Sequence, residues 1–185
     1  MSTPQQTKNR RTLLIVAAIF ILPVAVAKLF FEMGWYNSGA SNLGNLITPP
    51  LKIEELENEQ LPNTWRIAMQ VPEGCGAPCD SGLYVLSQTD HALGRMTDRV
   101  TPVGILPTMH DDLPELPADS NVVYQALPNT YEQLSTLPAN SLYIIDPVGN
   151  IVMWYEGSAD REYMIMQARD LLKDLKKMLK MSRVG

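Results

Sequence analysis

The chain has 185 residues, of which 45% are apolar, so it can bury one good hydrophobic core but not two. It contains two cysteines and two histidines, too few for a disulfide-rich scaffold or a four-ligand zinc site. The formal net charge of −5 is unevenly divided: residues 1–37 carry four Lys and Arg against one Glu, and residues 38–185 carry eleven against nineteen acids. Because the larger part is this acidic, we expect no binding to nucleic acid.

The first apolar run predicts a membrane anchor. Residues 1–12 are expected to form a cytoplasmic tail, of which Met1–Arg11 is polar and basic and is expected to be disordered. Residues 13–31 are apolar apart from Lys28. Nineteen helical residues span about 28 Å, close to the roughly 30 Å hydrocarbon core of a bilayer. The basic residues before the run predict a cytoplasmic N-terminus, with the rest of the chain outside the cytoplasm.

A cleaved signal peptide is the competing interpretation, because Ala25-Val26-Ala27 resembles a cleavage site. The apolar stretch continues past that site to Phe31, and this continuation favours an uncleaved anchor. In either case the cysteines reach an oxidising compartment. Residues 32–60 are expected to form a tether and an acidic segment with one short edge strand, and residues 61–185 a folded domain.

Both cysteines follow a predicted strand. Trp65–Val71 alternates bulky and polar residues, as a strand with one buried face does, and Pro72 ends it. After the second cysteine the apolar spacing becomes that of a helix extending to about Gly94. The sequence therefore predicts a strand, a turn holding Cys75, and a helix with Cys79 in its first turn.

This placement predicts reactive thiols. The N–H groups and dipole of a helix N-terminus favour a thiolate over a thiol. Two such thiols can form a disulfide, exchange disulfides with a partner or bind a soft metal such as Cu(I). A structural disulfide is the alternative, but a bond closing so short a loop is a weak staple. We expect Cys75 to be the exposed thiolate and Cys79 the resolving partner.

The remaining elements predict a known α/β plan. In chain order they are a strand at Arg99–Leu106, a loop, a short strand at Asn121–Ala126, one or two helical turns at Tyr131–Leu137, a hairpin of Leu142–Ile145 and Ile151–Tyr155, and a helix from about Asp160 to Ser182. A strand, crossover helix and parallel strand followed by an antiparallel hairpin and a covering helix are typical of the thioredoxin-like fold. We therefore predict a central mixed sheet flanked by helices, preceded by a transmembrane helix.

The anchor, the Cys75–Cys79 dithiol and the motif Tyr-Ile-Ile-Asp-Pro-Val-Gly at residues 143–149 resemble the Sco/SenC copper chaperones of cytochrome c oxidase assembly. The sequence is most similar to their small membrane-anchored bacterial type, over roughly Leu61–Gly185. The resemblance implies a single-pass protein of the bacterial inner membrane with a periplasmic domain. It also implies a role in cytochrome c oxidase biogenesis, by dithiol reduction or copper delivery, with oxidase subunits or other assembly factors as partners.

In that family the two cysteines and one distal histidine bind copper, and this chain departs from the pattern. The family's histidine lies eight residues before the aspartate of the later motif, and that position here is Pro138. His91 lies about 18 Å along the predicted helix from Cys79, too far to share a metal, and is expected at the surface. His110, in the loop after the second core strand, is a weaker ligand candidate, and a solvated loop residue is the expected alternative.

Copper, if bound, is therefore assigned to Cys75 and Cys79 alone, a two-thiolate set that favours Cu(I) over Cu(II). Two other functions stay open: a general extracytoplasmic thiol–disulfide oxidoreductase, and a non-catalytic assembly scaffold with a structural disulfide.

A lysine stripe on the last helix is expected to be a solvated face, with docking to an acidic partner or anionic lipid as the alternative. The stripe consists of Lys173, Lys176, Lys177 and Lys180.

Overall fold

The N-terminal unit is one long helix. The computed structural model describes residues 4–33, 42–53, 55 and 63–183, and it divides after Ser41 into two units. In the first unit, α1 covers Pro4–Glu32, and its segment Arg10–Phe30 is long and apolar enough to cross a membrane. The prediction that the first eleven residues are disordered is wrong for residues 4–11, which form the first turns of α1 because they are mostly good helix formers.

The second unit is built on one six-stranded sheet. Its strands are β1 (Asn45–Lys52), β2 (Trp65–Gln70), β3 (Val100–Leu106), β4 (Val123–Ala126), β5 (Leu142–Ile145) and β6 (Asn150–Tyr155), in the order β1-β6-β5-β2-β3-β4. The helices are α2 (Ala77–Ser87), α3 (Thr89–Leu93), α4 (Pro128–Leu134) and α5 (Arg161–Met181), with a 3₁₀ turn at Gly94–Arg99. β2, β3 and β4 are parallel, and β5 and β6 form the antiparallel hairpin. The predicted thioredoxin-like plan is confirmed, with Ile67 of β2 opposite Ile144 of β5.

The central strand β2 differs from its prediction because it is buried on both faces. All six of its residues are buried, including Arg66 and Gln70. One core cluster contains Ile67 and lies under α2 and α5, and a second contains Ala68. The Gln70 side-chain amide donates to the carbonyl of Tyr131 at 2.7 Å, so its polar group has a partner inside the protein. The alternation of bulky and polar residues in β2 therefore does not indicate an exposed face, because both faces of the strand are covered.

The strand β3 tolerates a proline and a glycine for local reasons. β4 pairs with β3 only from Val103 onward, so Pro102 lies beyond the end of β4. A Cβ at Gly104 would stand 2.6 Å from Cδ1 of Tyr124, so the side chain on β4 occupies the space that a larger residue would need. Pro102 and Gly104, residue types that are uncommon inside a strand, are thus accommodated by the short neighbouring strand.

Element boundaries differ from the prediction in three places. The helix after the dithiol ends at Ser87 and is followed by the separate short α3, and α4 begins at Pro128 rather than Tyr131. The edge strand β1 has eight residues and pairs antiparallel with β6. The closing helix is confirmed: Asp160 caps α5 by accepting hydrogen bonds from the backbone N–H groups of Glu162 and Tyr163. Parts of the predicted tether and acidic segment, at 34–41, 54 and 56–62, lie outside the described residues.

The loop after β6 makes a close backbone contact that generates a stability prediction. A Cβ at Gly157 would overlap the carbonyl oxygen of Asn140, a non-glycine residue with φ of 59°. Gly157→Ala should therefore destabilise the domain by roughly 1–3 kcal/mol, because backbone cannot move aside as a flexible side chain can. The measurement is the urea midpoint of the full chain in detergent.

Gly76→Ala is the matched control, since no atom lies within 4 Å of its Cβ position and its φ of −104° suits alanine. Equal midpoints for the two variants would show that the contact between Gly157 and Asn140 is not tight in solution.

Candidate dithiol site

The two cysteines are joined where β2 passes into α2. Gly74 adopts φ of +74° in the turn after β2, a conformation that glycine accepts readily. Cys75 and Cys79 form a disulfide with a Cα–Cα distance of 5.3 Å. α2 begins at Ala77 with a proline in its first two positions, where a missing N–H costs nothing. Cys79 thus occupies the first turn of α2 and Cys75 precedes it, as the sequence predicts.

The two sulfur-bearing residues differ in exposure. Cys79 is 1% exposed and belongs to the core cluster under α2, whereas Cys75 is half-buried at the edge of that cluster. A solvent-borne or protein-borne thiol can therefore approach Cys75 more easily than Cys79. The difference in exposure suits Cys75 to act as an attacking nucleophile and Cys79 to act as a resolving thiol.

A glycine lets α2 lie close to the sheet. A Cβ at Gly82 would stand 2.7 Å from Cε and 2.9 Å from Sδ of Met69 on β2. The same position would be 3.6 Å from Cε of Met164 on α5. The close approach at Gly82 keeps the first turn of α2, and with it Cys79, against the core.

A carboxylate lies next to the exposed sulfur. Oδ1 of Asp80 is 3.5 Å from Sγ of Cys75, and the Asp80 backbone N–H donates to the carbonyl of Gly76 at 2.9 Å. After reduction, this carboxylate can accept a hydrogen bond from the Cys75 thiol and disfavours its thiolate. The N-terminus of α2 acts in the opposite direction, so the two effects set the reactivity of Cys75 between them.

The loop before β5 lies beside the dithiol turn. A cleft of about 200 Å³ is lined by Pro72 at the end of β2, by Tyr131 on α4, and by Ala139 and Asn140. Burial first, and the charge of Glu73 in the dithiol turn second, raise the pKa of Tyr131 above its usual value. The cleft thus begins at Pro72, three residues before Cys75 in the chain.

The family model for the "transmembrane-like, thioredoxin-like, C-terminal domain" matches residues 65–182, which is more than half of the chain. The chain belongs to this family. No protein of curated function matches the sequence. For this member of the transmembrane-like, thioredoxin-like family, the confirmed fold and the dithiol at the start of α2 fall within the matched region.

Several solved structures are similar at low identity. ScoI of Arabidopsis thaliana with copper bound is 14% identical, with 63% of this chain and 87% of that chain covered and a TM-score of 0.44. BsSco, a member of the Sco family of cytochrome c oxidase assembly proteins, is 13% identical, with 74% and 95% covered and a TM-score of 0.45. The thioredoxin domain of a Bacteroides vulgatus thiol-disulfide oxidoreductase is 15% identical, with 75% and 99% covered and a TM-score of 0.41. The family assignment rests on the family model alone.

The histidines do not join the dithiol of this family member. His91 is exposed on α3, with Nε2 3.7 Å from Oδ2 of Asp119, in agreement with its predicted surface position. His110 is half-buried, and its Nε2 has no hydrogen-bond partner in the described part of the chain. Within those residues, no three His, Cys, Asp or Glu side chains are grouped as a metal site. The loop before β5 brings Pro138–Asn140, not a histidine, to the dithiol end of the sheet.

Sequence reasoning named both cysteines but missed the role of Asp80. Its position immediately after Cys79, in the first turn of a predicted helix, was the available signal, because that turn folds back over the preceding residues. The cleft beside Pro72 had no sequence signal, since it is formed by segments that are distant in the chain.

The carboxylate beside Cys75 generates a reactivity prediction. Asp80→Asn removes the negative charge while keeping the side-chain size, so the reduced Cys75 should form its thiolate at lower pH. We expect iodoacetamide to alkylate Cys75 about threefold to tenfold faster near neutral pH, with the midpoint of the pH–rate profile displaced downward. The full chain in detergent is measured after mild reduction, and the labelled cysteine is identified by mass spectrometry.

Asp98→Asn is the control, because Asp98 is an exposed acid in the 3₁₀ turn after α3. An unchanged profile in Asp80→Asn would mean that the carboxylate turns to solvent once the disulfide is reduced.

Proposed function

We propose that this protein is a membrane-anchored, Sco-like thiol–disulfide exchange protein that assists cytochrome c oxidase biogenesis outside the cytoplasm. The observation that carries the proposal is the Cys75–Cys79 disulfide at the start of α2, with one accessible and one buried cysteine. A bond across five residues stabilises a fold weakly, so a structural role explains its position poorly. Exchange chemistry explains both the position and the difference in exposure.

The exchange reaction transfers two electrons to a partner disulfide. The Cys75 thiolate attacks one partner sulfur, a mixed disulfide forms, and the other partner sulfur leaves as a thiolate. The Cys79 thiolate then attacks Sγ of Cys75, which closes the intramolecular disulfide and releases the second partner thiol. The partner is reduced, this protein is oxidised, and a thiol reductant outside the cytoplasm must regenerate its dithiol. The cleft lined by Pro72 and Asn140 is suited to hold the partner segment during the first attack.

The sequence resemblance supports the oxidase partner. The apolar α1 supports a single-pass anchor, and the basic residues before it support a periplasmic domain in a bacterial inner membrane. Oxidase subunits or other assembly factors, carrying a disulfide to be reduced, are then the expected partners. A general extracytoplasmic oxidoreductase would use the same chemistry on many partners, and the identity of the trapped protein separates the two functions.

Copper delivery is the second candidate, favoured by two sulfurs within bonding distance of each other and one of them accessible. Here copper is the cargo, and the reduced Cys75 and Cys79 would hold it as Cu(I), which accepts few soft ligands. Titration of the reduced full chain in detergent should then give one Cu(I) site, lost in Cys75→Ser or Cys79→Ser and retained in His91→Ala. Tight Cu(II) binding that disappears in His110→Ala would contradict the two-thiolate set.

The exchange proposal predicts that the two single cysteine variants trap different amounts of a partner protein. Cys79→Ser removes the resolving thiol, so a mixed disulfide between Cys75 and a partner should accumulate in membranes. Cys75→Ser removes the accessible thiol and should trap at least about tenfold less. The adduct is measured by non-reducing electrophoresis of membranes quenched with an alkylating agent, and the partner is identified by mass spectrometry.

The double variant Cys75→Ser/Cys79→Ser is the background control. Adducts of equal amount in both single variants would contradict the assigned roles. The absence of an adduct in either, with a disulfide resistant to mild reductants, would favour the non-catalytic scaffold.

A further inference from the structure

The chain enters the folded domain by binding to the last helix. The buried carboxylate of Asp174 on α5 accepts hydrogen bonds from the backbone N–H groups of Leu43 and Gly44, the latter at 3.1 Å. The Tyr155 hydroxyl donates to the same oxygen at 2.9 Å, and a Cβ at Gly44 would collide with the Tyr155 ring. Leu43 and Gly44, near the start of the second unit, are therefore fixed to the C-terminal half of α5.

The exposed face of that half-helix is basic. Over residues 169–183 the chain carries six Lys and Arg against two acids, and one of those acids is the buried Asp174. The exposed cations on this half of α5 are Arg169, Lys173, Lys177 and Lys180, and we call them the basic face. Their spacing puts them on one side of α5, opposite the buried Leu171, Leu175 and Leu179.

The basic face is exceptional on this domain. Residues 38–168 carry five Lys and Arg against seventeen acids, so the rest of the domain is strongly acidic. A lipid surface of negative charge would repel most of the domain and attract the basic face, because opposite charges give orientation as well as affinity. Exposed apolar side chains occur near the same place: Leu43 is 47% exposed, and its backbone is bound to α5.

The anchor keeps this face within reach of a membrane. Residues 34–41 number eight, and eight residues span at most about 29 Å whatever their conformation. A tether this short gives the domain an effective concentration at the lipid surface in the millimolar range. Each lysine near an anionic surface raises the binding constant about fivefold, and this weak attraction is then sufficient to populate the bound state.

We propose that the basic face of α5 docks on the anionic lipid surface of the membrane that holds α1, an inference that rests on the proposed anchor. This docking determines where the dithiol lies. Ser81 on α2 donates to the carbonyl of Ala159 just before α5, so the dithiol is beside the first turn of α5. Lys180 is nineteen residues beyond Arg161, about 28 Å along the helix. Docking through the basic face therefore places the lipid contacts away from the dithiol, which lies at the end of α5 opposite Lys180.

The test compares the lysines of the full chain in two kinds of nanodisc, one of phosphatidylcholine and one with about one-third phosphatidylglycerol. A short pulse of an amine-acetylating reagent is followed by mass spectrometry. Lys173 should react at least about fivefold more slowly in the anionic discs. Lys52, at the far end of β1 from Gly44, should react equally in both. The protection should disappear near 0.5 M NaCl, where the Debye length is only about 4 Å.

Matched variants separate local charge from total charge. Lys177→Gln/Lys180→Gln should remove most of the protection of Lys173 in anionic discs. Lys52→Gln/Arg161→Gln lowers the net charge equally but lies outside the basic face, and it should leave Lys173 protected. Equal loss in both double variants would overturn the proposal.

Further outcomes distinguish the possible failures. Equal labelling of Lys173 in both discs, with the chain retained in them, would overturn docking while leaving the anchor and the dithiol chemistry intact. Protection in native membrane vesicles but not in anionic discs would overturn the lipid proposal in favour of an acidic protein on this face. A chain that does not elute with the discs would overturn the anchor and the docking together.

Discussion

The close packing of α2 on β2 is the contact on which the site depends. Gly82 lets the helix approach Met69, and the first turn of α2 then carries Cys79 into the core while Cys75 stays in the turn outside. A larger residue at Gly82 would press on the end of the Met69 side chain, which would have to move aside. The buried strand and the glycine thus accompany two cysteines of unequal accessibility, with Cys79 in the core and Cys75 at its edge.

The surroundings of Cys75 contain opposing influences. The N-terminus of α2 favours a thiolate, and the Asp80 carboxylate at 3.5 Å disfavours it. Within the described residues, no histidine is grouped with the two cysteines as a three-ligand metal site. If copper is the proposed cargo, two thiolates would favour Cu(I) over Cu(II), which prefers nitrogen and oxygen donors.

The sequence predicted the elements whose positions depend on local residue patterns. The apolar runs of β2, β3, β5 and β6, the cap at Asp160 and the helix that follows all lie within a residue or two of their predicted positions. Features made by distant segments were not predictable. The double burial of β2 depends on helices from both sides, and the Asp174 carboxylate binds backbone 130 residues earlier in the chain. The contact of Asp80 with Cys75 depends on the conformation of one turn, which a periodicity argument does not resolve.

The central claim is that the Cys75–Cys79 disulfide is a working redox pair, and its reduction potential tests that claim most directly. The full chain in detergent is equilibrated with graded ratios of reduced and oxidised thiol buffer, and the free thiols are counted by alkylation and mass spectrometry. A working pair should have a midpoint above about −250 mV, within reach of biological thiol reductants. A midpoint below about −300 mV would mark a structural bond and contradict the account.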